Sequence, residues 1–285
     1  MDVSPGIALG LVAMLCWGTA DYFAAKAIRK VGVFKTLFWG QTIGLSFLFL
    51  VLVSLGAFMP SPSTVALILI TGLLNVVACL AFYRGLQLGK VSIVSPISAS
   101  WVVVTVILSL IFLEESLTSL QAAGVVLTIS GVFLTSFKLH DLLRLRLRNL
   151  AAGAKFAAVS MLAWGLHYVF IDQLVAELGW FLPIFSVKAV TVFSLASYSR
   201  MAGKEVSFPK SVARMVLVVG GLEAAAFLAY GAGVASEFTA VVAPVAASFP
   251  MVTIMLARIF FHELVEINQK IGIAAVLTGL ILLSL

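Results

Sequence analysis

The sequence predicts an all-α membrane protein of ten transmembrane helices, arranged as two inverted five-helix repeats. Three observations lead to this fold class: the composition, the length of the apolar segments and an internal repeat. Of the 285 residues, 62% are apolar and only 11% are charged, whereas soluble domains carry about 25% charged residues. This composition excludes a soluble protein, a disordered chain and a nucleic-acid-binding protein, although the formal net charge is +6.

The apolar segments have the length of transmembrane helices, which take about 20 residues each. Charged residues, Pro or Gly bound each segment. Most connections are short, so we expect consecutive helices to be antiparallel neighbours in a bundle. The ten predicted spans cover residues 6–28, 33–55, 64–86, 91–113, 119–137, 153–174, 179–199, 211–234, 238–260 and 266–285.

An internal repeat relates the two halves of the chain at a shift of 147 or 148 positions. Residues 14–18 (MLCWG) align with residues 161–165 (MLAWG), and residues 111–115 (IFLEE) align with residues 259–263 (IFFHE). Because five is odd, the second unit must enter the membrane from the opposite side. The chain therefore divides into a first five-helix repeat (1–137), a basic cytoplasmic linker (138–152) and a second, inverted repeat (153–285).

The basic residues predict the orientation in the membrane. Every Lys and Arg except Lys188 lies in or beside the loops that follow spans one, three, five, seven and nine. Because cytoplasmic loops concentrate Lys and Arg, we expect these loops in the cytoplasm and both termini outside, in the plasma membrane of a prokaryote. The Leu- and Arg-rich linker is also a candidate site for anionic membrane lipids.

No catalytic residue, metal site or cofactor is predicted. Cys16 and Cys79 lie in apolar segments without a second thiol or His at ligand spacing. Residues 262–266 (HELVE) superficially resemble a zinc-protease helix, but Glu266 stands where the second His would be. No nucleophile–base pair or phosphate-binding loop is found, so we do not expect an enzyme.

Two motifs, each present in both halves, carry a family resemblance. Trp-Gly lies late in the first helix of each half. Phe-x-x-Glu, with Gln six residues and Gly nine residues after the Glu, opens the fifth helix of each half. With the helix count, these motifs resemble the drug/metabolite transporter superfamily, ten-helix EamA type, over essentially the whole chain.

The resemblance implies a secondary transporter, commonly an exporter of amino acids or other small metabolites. It also implies a substrate cavity between the two repeats, with the fifth and tenth helices at the periphery. One departure concerns the second helix, where many relatives carry a basic residue midway and this chain has Gln41. The equivalent place in the second half is occupied by Lys188.

Three charged residues lie well inside predicted spans, away from the span ends, and a charge at the membrane centre costs about 2.5 to 3.5 kcal/mol. Lys188 and Glu223 lie midway along spans seven and eight, and Asp21 lies in the inner third of span one. The repeat aligns Gln41 with Lys188, and Asn75 with Glu223. We therefore expect two polar pairs near the midplane, where inverted-repeat transporters bind substrate. The pairs are Gln41 with Asn75, and Lys188 with Glu223.

The intramembrane charges have alternative interpretations. Glu223 is interpreted as a coupling carboxylate or as the partner of a substrate ammonium group. Lys188 is then its charge partner or a ligand for a substrate carboxylate, and the alternative is a purely structural Lys188–Glu223 ion pair. For Asp21 two hypotheses stay open: a cation site, or a bond to Lys26 or to a neighbouring helix.

Pro residues in spans four and nine predict bent helices that line and gate the cavity. Pro96 lies within residues 95–100 (SPISAS), and Pro244 and Pro250 lie in span nine. The alternative is that these are tolerated kinks, satisfied by neighbouring helices and Ser hydroxyls. Candidate cavity ligands and walls are Ser95, Ser98, Trp17, Trp101, Trp164 and Tyr230.

The sequence thus favours a secondary active transporter, an exporter or exchanger of a small metabolite such as an amino acid. Alternating access around a midplane cavity is the expected mechanism, with protons as the candidate coupling ion. The alternatives are a flippase for a lipid or its headgroup, and an uncoupled facilitator of the same fold. Glycine pairs spaced for close helix approach fit packing within a monomer as well as a homodimer.

Overall fold

A computed structural model describes residues 4–52, 61–88, 94, 97–137, 151–261 and 265–283. Within these ranges the chain is helical and contains no β-strand, so the predicted all-α class is confirmed. A 3-10 turn at Lys210–Val212 precedes one of the helices. The α-helices are α1 (Pro5–Val31), α2 (Val33–Leu52), α3 (Pro62–Leu88), α4 (Trp101–Phe112), α5 (Ser119–Thr135), α6 (Ala151–Leu178), α7 (Leu182–Met201), α8 (Ala213–Val234), α9 (Thr239–Ala247), α10 (Phe249–Phe261) and α11 (Ile267–Leu283).

Most of these helices suit a bilayer in length and composition. In the described part of the chain, 7 helical segments are long and apolar enough to cross a membrane. The segments Ile97–Phe112, Ser119–Thr135 and Ile267–Leu283 are shorter apolar helices at the places of the other three predicted spans. Large apolar side chains such as Leu50 and Phe193 point outward, as expected for contact with lipid. The count of ten crossings stays a prediction.

The two halves of the chain pack in a reciprocal pattern. Helix α1 packs against α8, and α3 packs against α6. Since the repeat aligns α1 with α6 and α3 with α8, these two contacts are equivalent. Helix α2 likewise packs on its counterpart α7, and α5 packs on its counterpart α11. The halves therefore interlock, and the centre of the molecule lies between them.

Close approach of α5 and α11 depends on glycine. A Cβ atom added at Gly131 would lie 2.6 Å from the carbonyl oxygen of Gly272, and one added at Gly272 would lie 2.7 Å from that of Gly131. Gly131 lies seven residues after Gly124 on α5, and Gly272 lies seven residues before Gly279 on α11. Small residues let helix backbones approach closely in a membrane, so this pair can pack without intervening side chains.

Spans four and nine are interrupted at equivalent positions. The N–H of Ser100 donates to the carbonyl of Ile97 at 3.2 Å, and the N–H of Ser248 donates to that of Val245 at 3.2 Å. These i→i+3 bonds mark a local departure from the α-helix. Predicted span 238–260 therefore consists of two helices that meet at Ser248.

The prolines relate differently to this interruption. Pro244 lies inside α9, and Pro250 lies in the first turn of α10, a position that tolerates the missing N–H. Ser95 and Pro96 lie outside the described residues, as does linker segment 138–150.

Candidate functional site

A cavity of about 550 Å3 lies between the two halves. Its volume falls in the range of about 300–1,000 Å3 that small-molecule sites occupy. Many of the residues singled out from the sequence line it. They are Trp17, Asp21, Gln41, Asn75, Ser98, Trp101, Trp164, Glu223 and Pro250.

Three other predicted site residues lie behind the cavity wall. Lys188 is 4% exposed, and Tyr230 and Pro244 are fully enclosed. Lys188 still reaches the cavity indirectly, through hydrogen bonds to side chains that line it. Tyr230 contributes to the packing behind Trp17, whose ring centroid lies 5.9 Å away.

Lys188, Glu223 and Gln41 form one polar cluster. The ammonium Nζ of Lys188 lies 3.3 Å from Oε2 of Glu223 and donates to Oε1 of Gln41 at 2.8 Å. The Nε2 group of Gln41 donates to the same Glu223 oxygen at 2.6 Å. Nζ also lies 4.5 Å from the centroid of the Phe227 ring, in the geometry of a cation–π contact. Helices α2, α7 and α8 are thus joined at one point.

Asn75 belongs to a second cluster, on α3, α6 and α7. Its Nδ2 group donates to Oγ1 of Thr191 at 3.2 Å, and its Oδ1 atom accepts from Nε1 of Trp164 at 3.2 Å. The expected Gln41–Asn75 pair is therefore wrong: each amide bonds to side chains of the second half instead. The repeat alignment placed both residues on the cavity, but it did not predict their partners.

Asp21 faces the cavity and is exposed to it. No described residue forms a hydrogen bond or ion pair with its carboxylate. Nζ of Lys26, the partner that one of the hypotheses named, donates to the hydroxyl of Tyr22 at 3.2 Å.

Aromatic rings form much of the cavity wall. Trp101 stacks on Tyr168 with centroids 4.1 Å apart, and Trp17 lies 5.2 Å from Phe227 and 6.3 Å from Phe249. Sequence reasoning missed Tyr168 and Phe227. The signal for Tyr168 was available, because the repeat aligns it with Asp21 and it lies one helical turn after Trp164.

The cavity extends toward the end of the molecule that carries the basic loops. Its lining reaches Thr135, Ser136 and Phe137 at the end of α5 and Gln269 at the start of α11. In the sequence these helix ends adjoin basic residues of the loops after spans five and nine, namely Lys138, Arg144, Arg146, Arg148 and Lys270. We call this end the basic face and the opposite end the acidic face.

Carboxylates join the two halves of the chain at the acidic face. Both oxygens of Glu115 accept backbone N–H groups at the start of α9, from Thr239 at 2.6 Å and from Ala240 at 2.8 Å. The hydroxyl of Thr239 donates to Oδ1 of Asp172 at 2.8 Å. This arrangement caps α9 with a side chain from the other half of the chain. We refer to Glu115, Asp172 and Thr239 as the acidic-face latch.

A second tie lies on the same face, where the hydroxyl of Thr64 donates to Glu177. Sequence reasoning missed the latch, although Glu115 is the Glu of the Phe-x-x-Glu motif. Among the described residues, no three His, Cys, Asp or Glu side chains form a group that could hold a metal ion.

Comparisons with known proteins agree with this architecture. An uncharacterized protein of Methanocaldococcus jannaschii is 31% identical over 131 residues, which is 46% of this chain and 95% of that protein. The relative thus has about the length of one half of the chain. A solved crystal structure has the same fold, with a TM-score of 0.81 at 17% identity over 100% of this chain and 99% of that chain.

The family comparison is the most informative, because it matches the two halves separately. Residues 4–137 and residues 151–285 each match the EamA-like transporter family. The two matches agree with the internal repeat and leave only the linker and the first residues uncovered. The chain therefore belongs to the EamA-like transporter family, whose members are membrane transporters of the drug/metabolite transporter superfamily.

Proposed function

We propose that this protein is a secondary active transporter that exports or exchanges a small metabolite through the cavity between its two halves. The carrying observation is the cavity itself: polar and aromatic side chains of both halves meet there, and the latch joins the two halves at the acidic face. Amino acids are the substrate class that the family resemblance implies. Transport would proceed by alternating access, with the two halves moving relative to each other.

The proposal includes ten crossings and inverted repeats. The reciprocal packing of α1 on α8 and of α3 on α6 supports a two-fold relation between the halves. The position of the basic residues supports an axis in the membrane plane, since all five basic loops lie on one predicted side. With that side cytoplasmic, the state described above is open to the cytoplasm and closed to the outside.

Substrate would bind among the side chains that line the cavity. Asp21 and Glu223 supply carboxylates, Gln41 and Asn75 supply amides, and Ser98 supplies a hydroxyl. Glu223 is the candidate coupling carboxylate, because it is shared between the cavity and the buried ammonium of its α7 partner. Protonation of Glu223 would release that ammonium and so change the cluster that joins three helices.

A lipid flippase is the second candidate. A cavity of about 410 Å3 between α4 and α5 is lined mainly by apolar side chains, and it shares Ala99 with the central cavity. An acyl chain in this crevice with a headgroup in the central cavity would suit lipid translocation. Uptake of soluble substrates and flipping of labelled lipids distinguish the two functions.

The test uses purified protein in proteoliposomes loaded with unlabelled candidates and given labelled ones outside. The panel contains amino acids, amines and sugar phosphates, with and without a pH gradient. Saturable counterflow supports a carrier, whereas uptake without counterflow indicates a channel. Counterflow that a pH gradient does not accelerate indicates an uncoupled facilitator. If a pH gradient accelerates transport, Glu223→Gln should abolish that acceleration, and Glu205→Gln, which removes an exposed carboxylate on the basic face, should retain it. Absence of any counterflow across the panel contradicts the proposed function.

A further inference from the structure

The cavity lining is unbalanced in charge. Among its described lining residues are the two carboxylates of Asp21 and Glu223, and no Lys, Arg or His side chain. A charge that faces a cavity inside a membrane protein is costly when it has no counter-charge, because its surroundings have a low dielectric constant. The nature of the ligand therefore depends on which of these carboxylates is already neutralised.

Glu223 is neutralised within the protein. Its Oε2 atom lies 3.3 Å from Nζ of Lys188 and accepts from Nε2 of Gln41 at 2.6 Å. Lys188 in turn bonds to Gln41 at 2.8 Å and contacts the ring of Phe227. The pair Lys188–Glu223 carries no net charge, so it contributes little long-range attraction for a charged ligand.

Asp21 is the carboxylate left without a partner by the described residues. It lines the cavity, and no described residue forms a hydrogen bond or ion pair with its carboxylate. When Asp21 is ionised, its negative charge has no counter-charge among the described residues. A ligand with a single positive charge would balance it.

The surroundings of Asp21 suit an organic cation. Trp17 lies one helical turn before it on α1, and Phe227, Phe249 and Tyr168 surround the Trp17 ring at centroid distances of 5.2 to 6.3 Å. Ring faces attract ammonium groups, and rings also offer apolar area to the ligand body. A cavity of about 550 Å3 is far larger than a bare metal ion needs.

We propose that Asp21 binds the ammonium group of the ligand, and that the ligand is a monovalent organic amine with an apolar or aromatic body. The proposal rests on the function proposed above, in which the cavity is the transport site. It replaces amino acids by amines as the proposed substrate class. A ligand carboxylate would find no basic side chain among the described lining residues. In this proposal Glu223 couples transport to protons and holds its helices together, and Asp21 recognises the ligand.

The test compares four compounds that share a phenyl body and differ in charge: 2-phenylethylamine, phenylalanine, 3-phenylpropionate and 2-phenylethanol. Binding to the purified protein is followed by tryptophan fluorescence, since Trp17, Trp101 and Trp164 lie in the wall. We expect the amine to bind at least about tenfold more tightly than each of the other three.

Variants assign this preference to Asp21. Asp21→Asn should weaken binding of the amine about tenfold or more and leave 2-phenylethanol unchanged. Asp21→Glu should retain a preference for the amine. Glu205→Gln, which removes an exposed carboxylate outside the cavity, should bind all four compounds as the unsubstituted protein does.

Several results would overturn the inference. One is undiminished amine binding by Asp21→Asn, and another is tighter binding of phenylalanine than of the amine. Failure of the amine to bind overturns it as well, and the compound series decides this even if the Asp21 variants do not fold. Counterflow of phenylalanine without binding of the amine would leave the proposed transport function standing while the assignment to Asp21 fails.

Discussion

The Nζ atom of Lys188 lies 3.3 Å from Oε2 of Glu223, and Gln41 bonds to both side chains. The ammonium is 4% exposed, whereas 24% of the carboxylate side chain is exposed toward the cavity. The pair thus has one member in the protein interior and one at the cavity wall. Ligand binding or protonation at Glu223 would therefore change the electrostatic environment of the Lys188 ammonium, which is buried between helices.

The stability of this pair can be measured by a double-mutant cycle. Glu223→Gln leaves a buried ammonium without its counter-charge, and we expect a loss of about 3 kcal/mol, the lower end for buried pairs, because the carboxylate is partly exposed. Adding Lys188→Met removes the stranded charge, so the double variant should be more stable than Glu223→Gln alone. Thermal unfolding in detergent, measured for both single variants and for the double variant, reports all three losses. Additive losses would show that the two side chains are not coupled.

The acidic-face latch predicts which state the resting protein prefers. Glu115→Gln weakens the charge-assisted cap on α9, by about 1 kcal/mol for a helix cap. Since 1 kcal/mol is about a fivefold change in a population ratio, opening toward the acidic face should increase to that extent. The measurement is labelling of Ala243→Cys, a position 0% exposed on α9, by a membrane-impermeant thiol reagent added at the acidic face.

Two controls accompany the latch experiment. The native thiols Cys16 and Cys79 are replaced by Ala in every variant, so that only the introduced Cys reacts. Glu114→Gln removes an adjacent exposed carboxylate and should leave the labelling rate unchanged. Equal labelling of the Glu115 and Glu114 variants would contradict a latch.

Neighbouring glycines on α8 offer a matched test of the α2–α8 contact. A Cβ atom at Gly220 would lie 2.6 Å from Cγ2 of Ile43 and 2.8 Å from the carbonyl oxygen of Gly40. Gly220→Ala should therefore destabilise the protein by about 1 to 3 kcal/mol through overpacking. At Gly221 the nearest atom is 3.4 Å away, in the ring of Phe47, so Gly221→Ala should be neutral or stabilising by up to about 1 kcal/mol.

Both glycine variants gain the same helix propensity, and the difference between their unfolding temperatures isolates the steric term. A Gly220→Ala protein as stable as Gly221→Ala would mean that α2 and α8 do not approach each other this closely.

The orientation in the membrane is tested with a reporter that fluoresces only in the cytoplasm. Fused to the C-terminus it should stay dark, because the basic loops are expected inside and the termini outside. Inserted between Gly203 and Lys204, in the loop after α7, it should be bright. The reverse pattern would place the open end of the cavity outside the cell.

Much of the fold could be predicted from the sequence. Composition and segment length predicted membrane helices, and the alignment of Trp17 with Trp164 predicted the duplication that the two family matches bear out. Pro244 and Pro250 predicted a bend in span nine, but the position of the break at Ser248 was not predicted, because the apolar run of residues 238–260 is continuous. A run of apolar residues shows that a segment is long enough to span the bilayer, but it does not show where an i→i+3 hydrogen bond interrupts the helix.

The candidate site was predicted less completely. Asp21, Lys188 and Glu223 were singled out because a charge inside a membrane is costly, and this argument needs only the sequence. The hydrogen-bond partners of the site residues were not all predicted correctly, as the mistaken Gln41–Asn75 pair illustrates. Pair formation depends on how far each helix is rotated and how deep it lies. Helices that are apolar on almost every side leave both quantities open.

The sequence by itself therefore determined that the protein is a membrane protein and a duplicated helical unit of the EamA-like family. It also determined that three charges lie well inside the predicted spans. Only the tertiary structure decided that Lys188 neutralises Glu223, that Asp21 faces the cavity without a described partner, and that Glu115 caps α9. The physical reason is that transfer free energy depends on residue type alone, whereas hydrogen bonds and ion pairs depend on the relative placement of helices far apart in the chain.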